Sequence, residues 1–263
     1  MNTTFKAVTS GSRYVVCLIL SFLLFGMFVS FSICHHRNSN VITDKQTSRS
    51  HQWLRIWEGK GKGNAPKHIM NGFSQLSKQQ WDQMACTLLN NYSHGKSGSR
   101  KLKIVEFGCG AGAFIESAMT CLNCTSSTCD VHGVDYSSSL ISAASSSNFW
   151  KYSGNFHRAD IANASVFHRI GIQFDLILSH SVFFYLDDYE HASRVIAVMK
   201  QFLAPSGEII ISDIPDLHKQ AQDLEMRSNS TYYQTVQPRA IKHFDTDHLY
   251  FNKSFFKLME AKH

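Results

Sequence analysis

Two carboxylates, a run of alternating glycines and one histidine are the residues of this 263-residue chain whose types and spacing can do chemistry. Glu106 stands two positions before Gly108, and Gly108, Gly110 and Gly112 then occupy every second position. Glycine tolerates positive φ and lets the backbone touch a ligand, so this spacing suits a sharp reversal beneath a bound molecule. The acid narrows the choice of ligand. A pyrophosphate in this turn would be repelled by Glu106, whereas a molecule carrying a sulfonium and a free ammonium group would be attracted. Asp135, 23 residues past Gly112, falls where a carboxylate can accept both hydroxyls of a ribose. His180 titrates close enough to neutrality to take a proton from a hydroxyl or ammonium acceptor, with Tyr185 as a candidate for orienting that acceptor.

These residues need a scaffold that delivers them to one edge. Residues 103–107 have the length and β-branched content of a buried parallel strand, and Ala113, Phe114, Ile115, Ala118, Met119 and Leu122 recur behind the glycines at helical spacing. The backbone N–H groups at that helix start face the turn. A second strand over 131–134 ends at Asp135, a third over 155–162 carries Asp160, and a fourth, FDLILS, leads into His180. Ser137 is better placed than Asp135 to cap the next helix. Asp187 or Asp188 starts a helix with Ala192, Val195, Ile196, Met199, Phe202 and Leu203 inward, and LAPSGEIIISDIP gives a fifth strand. Strand and helix alternate in the order a parallel sheet demands, so the fold class is α/β. Ser77 and Gln80 form a capping box, which predicts an amphipathic helix over 77–90.

EFGCGAG resembles the first motif, E/D-x-G-x-G-x-G, of class I S-adenosylmethionine-dependent methyltransferases. VHGVDYSSSLI is similar to that family's second motif, FDLILSHSVFFYL to its fourth strand and substrate loop, and LAPSGEIIISDIP to its L-x-P-G-G turn and fifth strand, with Ser206 replacing the first glycine. The resemblance covers roughly residues 50–263. It implies a Rossmann-like sheet with helices on both faces and S-adenosylmethionine as cofactor, with Glu106 and the glycine turn at the methionine end and Asp135 at the ribose. It further implies Asp160 at the adenine amino group, Ile161 against the ring and Ser179 among the cofactor residues. The activity implied is methyl transfer to a small-molecule or lipid-associated acceptor. Two other readings stay open: Gly108, Gly110 and Ala113 also satisfy G-x-G-x-x-A, the pattern of an NAD(P)-binding oxidoreductase, and a shortened chain could be a non-catalytic, membrane-anchored remnant of a cofactor-binding domain. The shortening is an expectation because the family's sixth and antiparallel seventh strands are not found after the fifth, which would leave a sheet edge exposed.

Ahead of the α/β part, residues 14–34 are 21 mostly apolar residues without charge, about the ~20 that span a bilayer as a helix. The sequence therefore divides into an N-terminal tail (1–13), a transmembrane helix (14–34), a polar linker (35–51) and a methyltransferase domain (52–263) shortened at its C-terminus. A cleaved signal peptide is the alternative for the apolar segment. Charge is split: residues 1–103 hold fourteen Lys/Arg against three Asp/Glu, and residues 104–263 hold twelve against seventeen. A basic flank on an acidic catalytic part suits a membrane surface, or a solvated linker, better than a nucleic-acid partner. Sequons at Asn2, Asn91, Asn123, Asn163, Asn229 and Asn252 hint at a lumenal chain, but a glycan on Asn163 would crowd Asp160 and the implied cofactor is made in the cytosol, so the expectation is a cytosolic catalytic domain. Cys121, Cys124 and Cys129 lack a fourth ligand for zinc and read as loop thiols, or as one disulfide in a lumenal domain, and the paired histidines of HHRNSN lack a second cluster. No metal is expected.

Overall fold

In the computed structural model the described residues are 6–10, 13–19, 49–90, 92, 100–146, 154–229 and 248–261. In chain order the elements are β1 (Lys6–Ser10), β2 (Arg13–Ile19), α1 (Arg49–Gly61), α2 (Lys67–Met70), α3 (Lys78–Leu89), β3 (Leu102–Phe107), α4 (Ala113–Cys121), β4 (Cys129–Asp135) and α5 (Ser138–Ser145). There follow β5 (Gly154–Arg158), α6 (Ala164–Ile170), β6 (Phe174–His180), α7 (Tyr189–Gln201), β7 (Leu203–Pro215), α8 (Gln220–Asn229) and α9 (Lys253–Ala261). They build one sheet of order β1-β2-β7-β6-β3-β4-β5, in which β3 to β7 pair in parallel.

The period of two along each strand sorts residues between two cores. Val105, Ile177, Ile209 and Ile211 point to the side covered by α6, α7 and α9, while Ile104, Leu176, Leu178 and Ile210 point to the side covered by α3 and α4. A sheet buried on both faces needs apolar residues at consecutive positions, which is why Ile104–Val105, Leu176–Ile177–Leu178 and Ile209–Ile210–Ile211 follow one another without a polar break. The helix starts follow local chemistry. Ser77 and Gln80 form the expected capping box of α3, Ser137 accepts from Leu140 N at the start of α5, and Asp188 accepts from His191 N at the start of α7.

Three expectations are corrected. The sheet edge beside β7 is not left exposed: the sheet has seven strands, and that edge is filled from the N-terminus rather than by strands after the fifth, with β2 running antiparallel to β7 and β1 antiparallel to β2. The expected transmembrane helix is not supported, because residues 14–19 belong to β2 and no helix among the described residues is long and apolar enough to cross a membrane. An apolar run of this composition, rich in Val, Leu and Ile, satisfies a buried strand as well as a helix, and an edge strand with unpaired N–H and C=O groups supplies the partner that decides. Residues 20–34 and the linker up to residue 48 lie outside the described residues. Finally, the third strand ends at Arg158, so Asp160 and Ile161 sit in the loop beyond it rather than at its end. The cysteines also pair more fully than expected, with bridges Cys86–Cys121 between α3 and α4 and Cys124–Cys129 across the turn before β4.

Candidate active site

At the carboxyl end of the parallel strands, where open α/β sheets bind ligands, a cleft of about 300 Å³ lies above the glycine turn. Glu106, Gly108, Gly110, Asp135, Asp160, Ile161, His180 and Tyr185 all line it. The turn has the backbone its glycines permit: φ is +76° at Gly108, +52° at Gly110 and +83° at Gly112. Side chains are excluded for a second reason at the first two, since a Cβ on Gly108 would lie 2.4 Å from Val182 Cγ2 and one on Gly110 2.6 Å from Asn71 Oδ1. Gly112 serves as N-cap of α4 and Ser179 donates its buried hydroxyl to the Phe107 carbonyl at 3.0 Å, so these two shape the cradle from behind rather than line it.

The turn's amides are already engaged. Gly110 N donates to Asp135 Oδ2 at 2.9 Å, Ala111 N to Asn71 Oδ1 at 2.9 Å and Ile115 N to Glu106 Oε2 at 3.2 Å. A pyrophosphate site needs N–H groups aimed at the ligand, and these three are spent on side chains instead. What faces the cleft is acid. Burial drives the Glu106 carboxyl well above the usual carboxylate range, with the Asp135 charge adding to the rise and the Ile115 amide opposing it. Burial likewise pushes Asp135 up to about 6, against hydrogen bonds from the Ser137 and Gly110 amides. Both groups gain if a ligand brings positive charge or hydroxyl donors.

Asp160 is set differently. It is more than half exposed and lies 3.9 Å from His191 Nε2, and this histidine holds the carboxyl below its ordinary range while the carboxylate raises His191. His191 Nδ1 reaches Asp187 at 3.4 Å, and Asp187 in turn accepts from Ser50 N at 2.7 Å and Ser50 Oγ at 2.9 Å at the start of α1. The cover over the cleft is thereby fastened to the side that carries Asp160. At its other end α1 is held by Glu58, whose carboxylate accepts from the Ser138 and Ser139 amides at the N-terminus of α5. Trp53 and Trp57 of α1 meet Tyr185 edge-on at 4.5 and 5.2 Å, so Tyr185 closes the cover against the loop after β6.

His180 is sandwiched between Phe114 (4.5 Å) and Phe73 (5.4 Å), with Trp81 edge-on at 5.5 Å, and its Nδ1 meets Ser212 Oγ at 2.8 Å. Next to it Ser181 (φ +58°) hydrogen-bonds Asp213 (φ +60°), and both are non-glycine residues held in the left-handed region at the ends of β6 and β7. Such backbone persists only where its surroundings over-determine it. Sequence reasoning missed Asn71, Phe73, His191 and the Ser181–Asp213 pair. The Asn71-Gly72 dipeptide was a visible turn signal, whereas nothing local marks a histidine in the first turn of α7.

The family model described as "Methyltransferase domain" matches residues 99–255. Among solved structures, a plantazolicin methyltransferase, BpumL, complexed with a pentazolic desmethylPZN analog and SAH, is 18% identical, with a TM-score of 0.50 over 79% of this chain and 76% of that one. The magnesium protoporphyrin IX methyltransferase ChlM of Synechocystis PCC 6803 is 16% identical with a TM-score of 0.45 over 80% of both chains. The N-methyltransferase NodS of Bradyrhizobium japonicum WM9 is 22% identical with a TM-score of 0.45 over 60% of this chain and 71% of that one. No curated protein matches the sequence. The family match spans more than half of the chain and includes the glycine turn, Asp135, Asp160 and His180, and it identifies the chain as a member of the class I S-adenosylmethionine-dependent methyltransferases.

Proposed function

We propose that this enzyme binds S-adenosylmethionine along the cleft and methylates a small molecule presented beside His180. The observation that carries the reading is the convergence of the glycine turn, three carboxylates and His180 on one covered cleft. Glu106 and the turn take the methionine end, Asp135 the ribose hydroxyls, and Asp160 with Ile161 the adenine. The donor set fits: the buried acids Glu106 and Asp135 are charge-deprived groups that a cationic, hydroxyl-bearing ligand relieves. The bound cofactor supplies an electrophilic methyl group; the protein's part is to align the acceptor and to keep water out.

Alignment can contribute up to ~7 to 11 kcal/mol when geometry is ideal. The aromatic walls of Phe73, Trp81 and Phe114 exclude water around His180, and Ser212 fixes its ring. In this reading His180 accepts the proton that a hydroxyl or ammonium acceptor must lose, and Tyr185 orients the acceptor from under α1. A small molecule is favoured over a lipid-associated one because α1 closes over a cleft of about 300 Å³, and because the lipid reading leaned on the membrane helix that the fold does not support. The idea of a non-catalytic remnant also loses support, since the shortened chain it rested on implied an exposed sheet edge and that edge is covered by β2 and β1. Titration calorimetry with S-adenosylmethionine, followed by a screen of small amines and alcohols for transfer of labelled methyl, tests the proposal. Binding without transfer to any small acceptor, together with transfer to a protein or lipid fraction, would overturn the acceptor class.

A further inference from the structure

Methyl transfer does not explain the far end of α4. There, Cys121 is bridged to Cys86 of α3 and Cys124 to Cys129, while Cys109, buried in the glycine turn, is free. Between the two bridges lies Asn123, within the tripeptide Asn123-Cys124-Thr125. Asn123 is exposed and adopts φ +52° in the turn that follows α4. Two other described sequon asparagines are occupied differently. Asn163 Oδ1 accepts from Ser165 N to cap α6, and Asn252 Oδ1 accepts from Phe255 N ahead of α9.

We infer that this domain matures in an oxidising, glycosylating compartment, where both bridges form and Asn123 receives an N-linked glycan. Two bridges in one small region are the signature of such a compartment, because cytosolic thiols are kept reduced. Each forms by exchange with a disulfide-bearing oxidant: one thiolate attacks a donor sulfur, the second displaces the donor, two protons leave and the two electrons remain on the donor as a dithiol. In the glycosylation step Asn123 Nδ2 bonds to the anomeric carbon of an oligosaccharide carried on a diphosphate, loses a proton to a base and expels the diphosphate. Geometry favours this sequon. α4 begins at the cleft with Ala113, and its nine residues carry Asn123 about 13 Å or more from it at the helical rise of ~1.5 Å per residue. A glycan there leaves the cofactor end clear, which one on Asn163, three residues from Asp160, would not. The crowding of Asp160 that counted against a lumenal domain therefore does not arise at Asn123.

The test uses the full chain made in a eukaryotic host, trapped with an alkylating agent in acid before lysis. Peptide mass spectrometry without reduction should find the 86–121 and 124–129 bridges, and enzymatic deglycosylation in heavy-oxygen water should mark position 123. The glycan should vanish in Thr125→Ala, which keeps the asparagine but breaks the acceptor sequence. If that variant does not accumulate, Asn123→Gln removes the same acceptor and should show the same loss of mass. Alkylated thiols at all four cysteines, or an unmodified Asn123 in the accumulated chain, would overturn the inference. Neither result bears on methyl transfer, which is measured separately.

Discussion

The cradle beneath the cleft and the cover above it are built on opposite principles. In the cradle, each carboxylate at the ends of the paired strands β3 and β4 is placed by a backbone amide of the turn and helix beside it: Gly110 N donates to Asp135 and Ile115 N to Glu106. In the cover, α1 is held by groups remote in sequence, Ser50 by Asp187 and Ser138 by Glu58. A cradle set by backbone conformation fails when a single group is changed, because nothing else can supply the lost contact. A cover held at two ends and by aromatic packing should give way in parts.

The largest effect is expected where cradle and cover meet, at His180. His180→Gln should keep cofactor affinity yet lower turnover by ~10² to 10⁴, the range for loss of a general base. Turnover within a few-fold of the parent would make His180 a wall of the cleft. Within the cradle, Asp135→Ala should weaken S-adenosylmethionine binding by ~1.5 to 3 kcal/mol, the usual worth of hydrogen bonds to a charged group, measured by calorimetry on a variant whose far-ultraviolet dichroism is unchanged.

Acidification probes the same carboxylate without mutation. The folded-state pKa of Asp135 is raised to about 6, so its ionised, hydroxyl-accepting form is present above that pH and lost below it. Cofactor affinity should fall roughly tenfold by pH 5, one unit below. Stability has the opposite sign: a raised carboxyl pKa favours the fold at low pH and gives up that contribution as pH rises through about 6. A melting temperature that drops together with affinity over this window would point to another titrating group. The smallest effect belongs to the cover. Burial raises the Glu58 carboxyl, but hydrogen bonds from Ser138 and Ser139 outweigh it and hold the group below its ordinary range. Glu58→Gln removes a charge from the N-terminus of α5 and should cost ~0.3 to 1 kcal/mol, seen as faster amide exchange in α1 with turnover nearly unchanged. Equal losses in exchange protection across β3 and β4 would mean that cover and cradle are one cooperative unit.

The same contrast explains what the sequence disclosed. Glu106, the glycines and Asp135 were legible because strand, turn and helix fix them within a short stretch, and a carboxylate before a glycine turn has few other uses. Ser137, Asp188 and the Ser77–Gln80 box were legible for the same local reason. His191 was not, since its partner Asp160 comes from a different loop and its other neighbour Asp187 reads only as a possible helix start. Nor was the origin of the sheet's outer edge: hydropathy and length in residues 14–34 match a membrane helix, and only the presence of an unfilled strand edge beside β7 reveals another use for their beginning. The Cys86–Cys121 bridge was hidden too, because pairing depends on how α3 lies on α4 and not on spacing.

The hairpin at the sheet edge has a consequence for biosynthesis. Arg13 pairs with Pro215 and Ile19 with Glu208, so a segment that leaves the ribosome well before the rest of the sheet waits for the strand that follows α7. During that interval an apolar stretch is without its partner, and β7 on emerging has β6 on one side and a bare edge on the other. Such non-local closure is slow and open to wrong pairings. Nascent chains halted before residue 203 should therefore bind holdase chaperones through the N-terminal segment and release them once β7 has been translated.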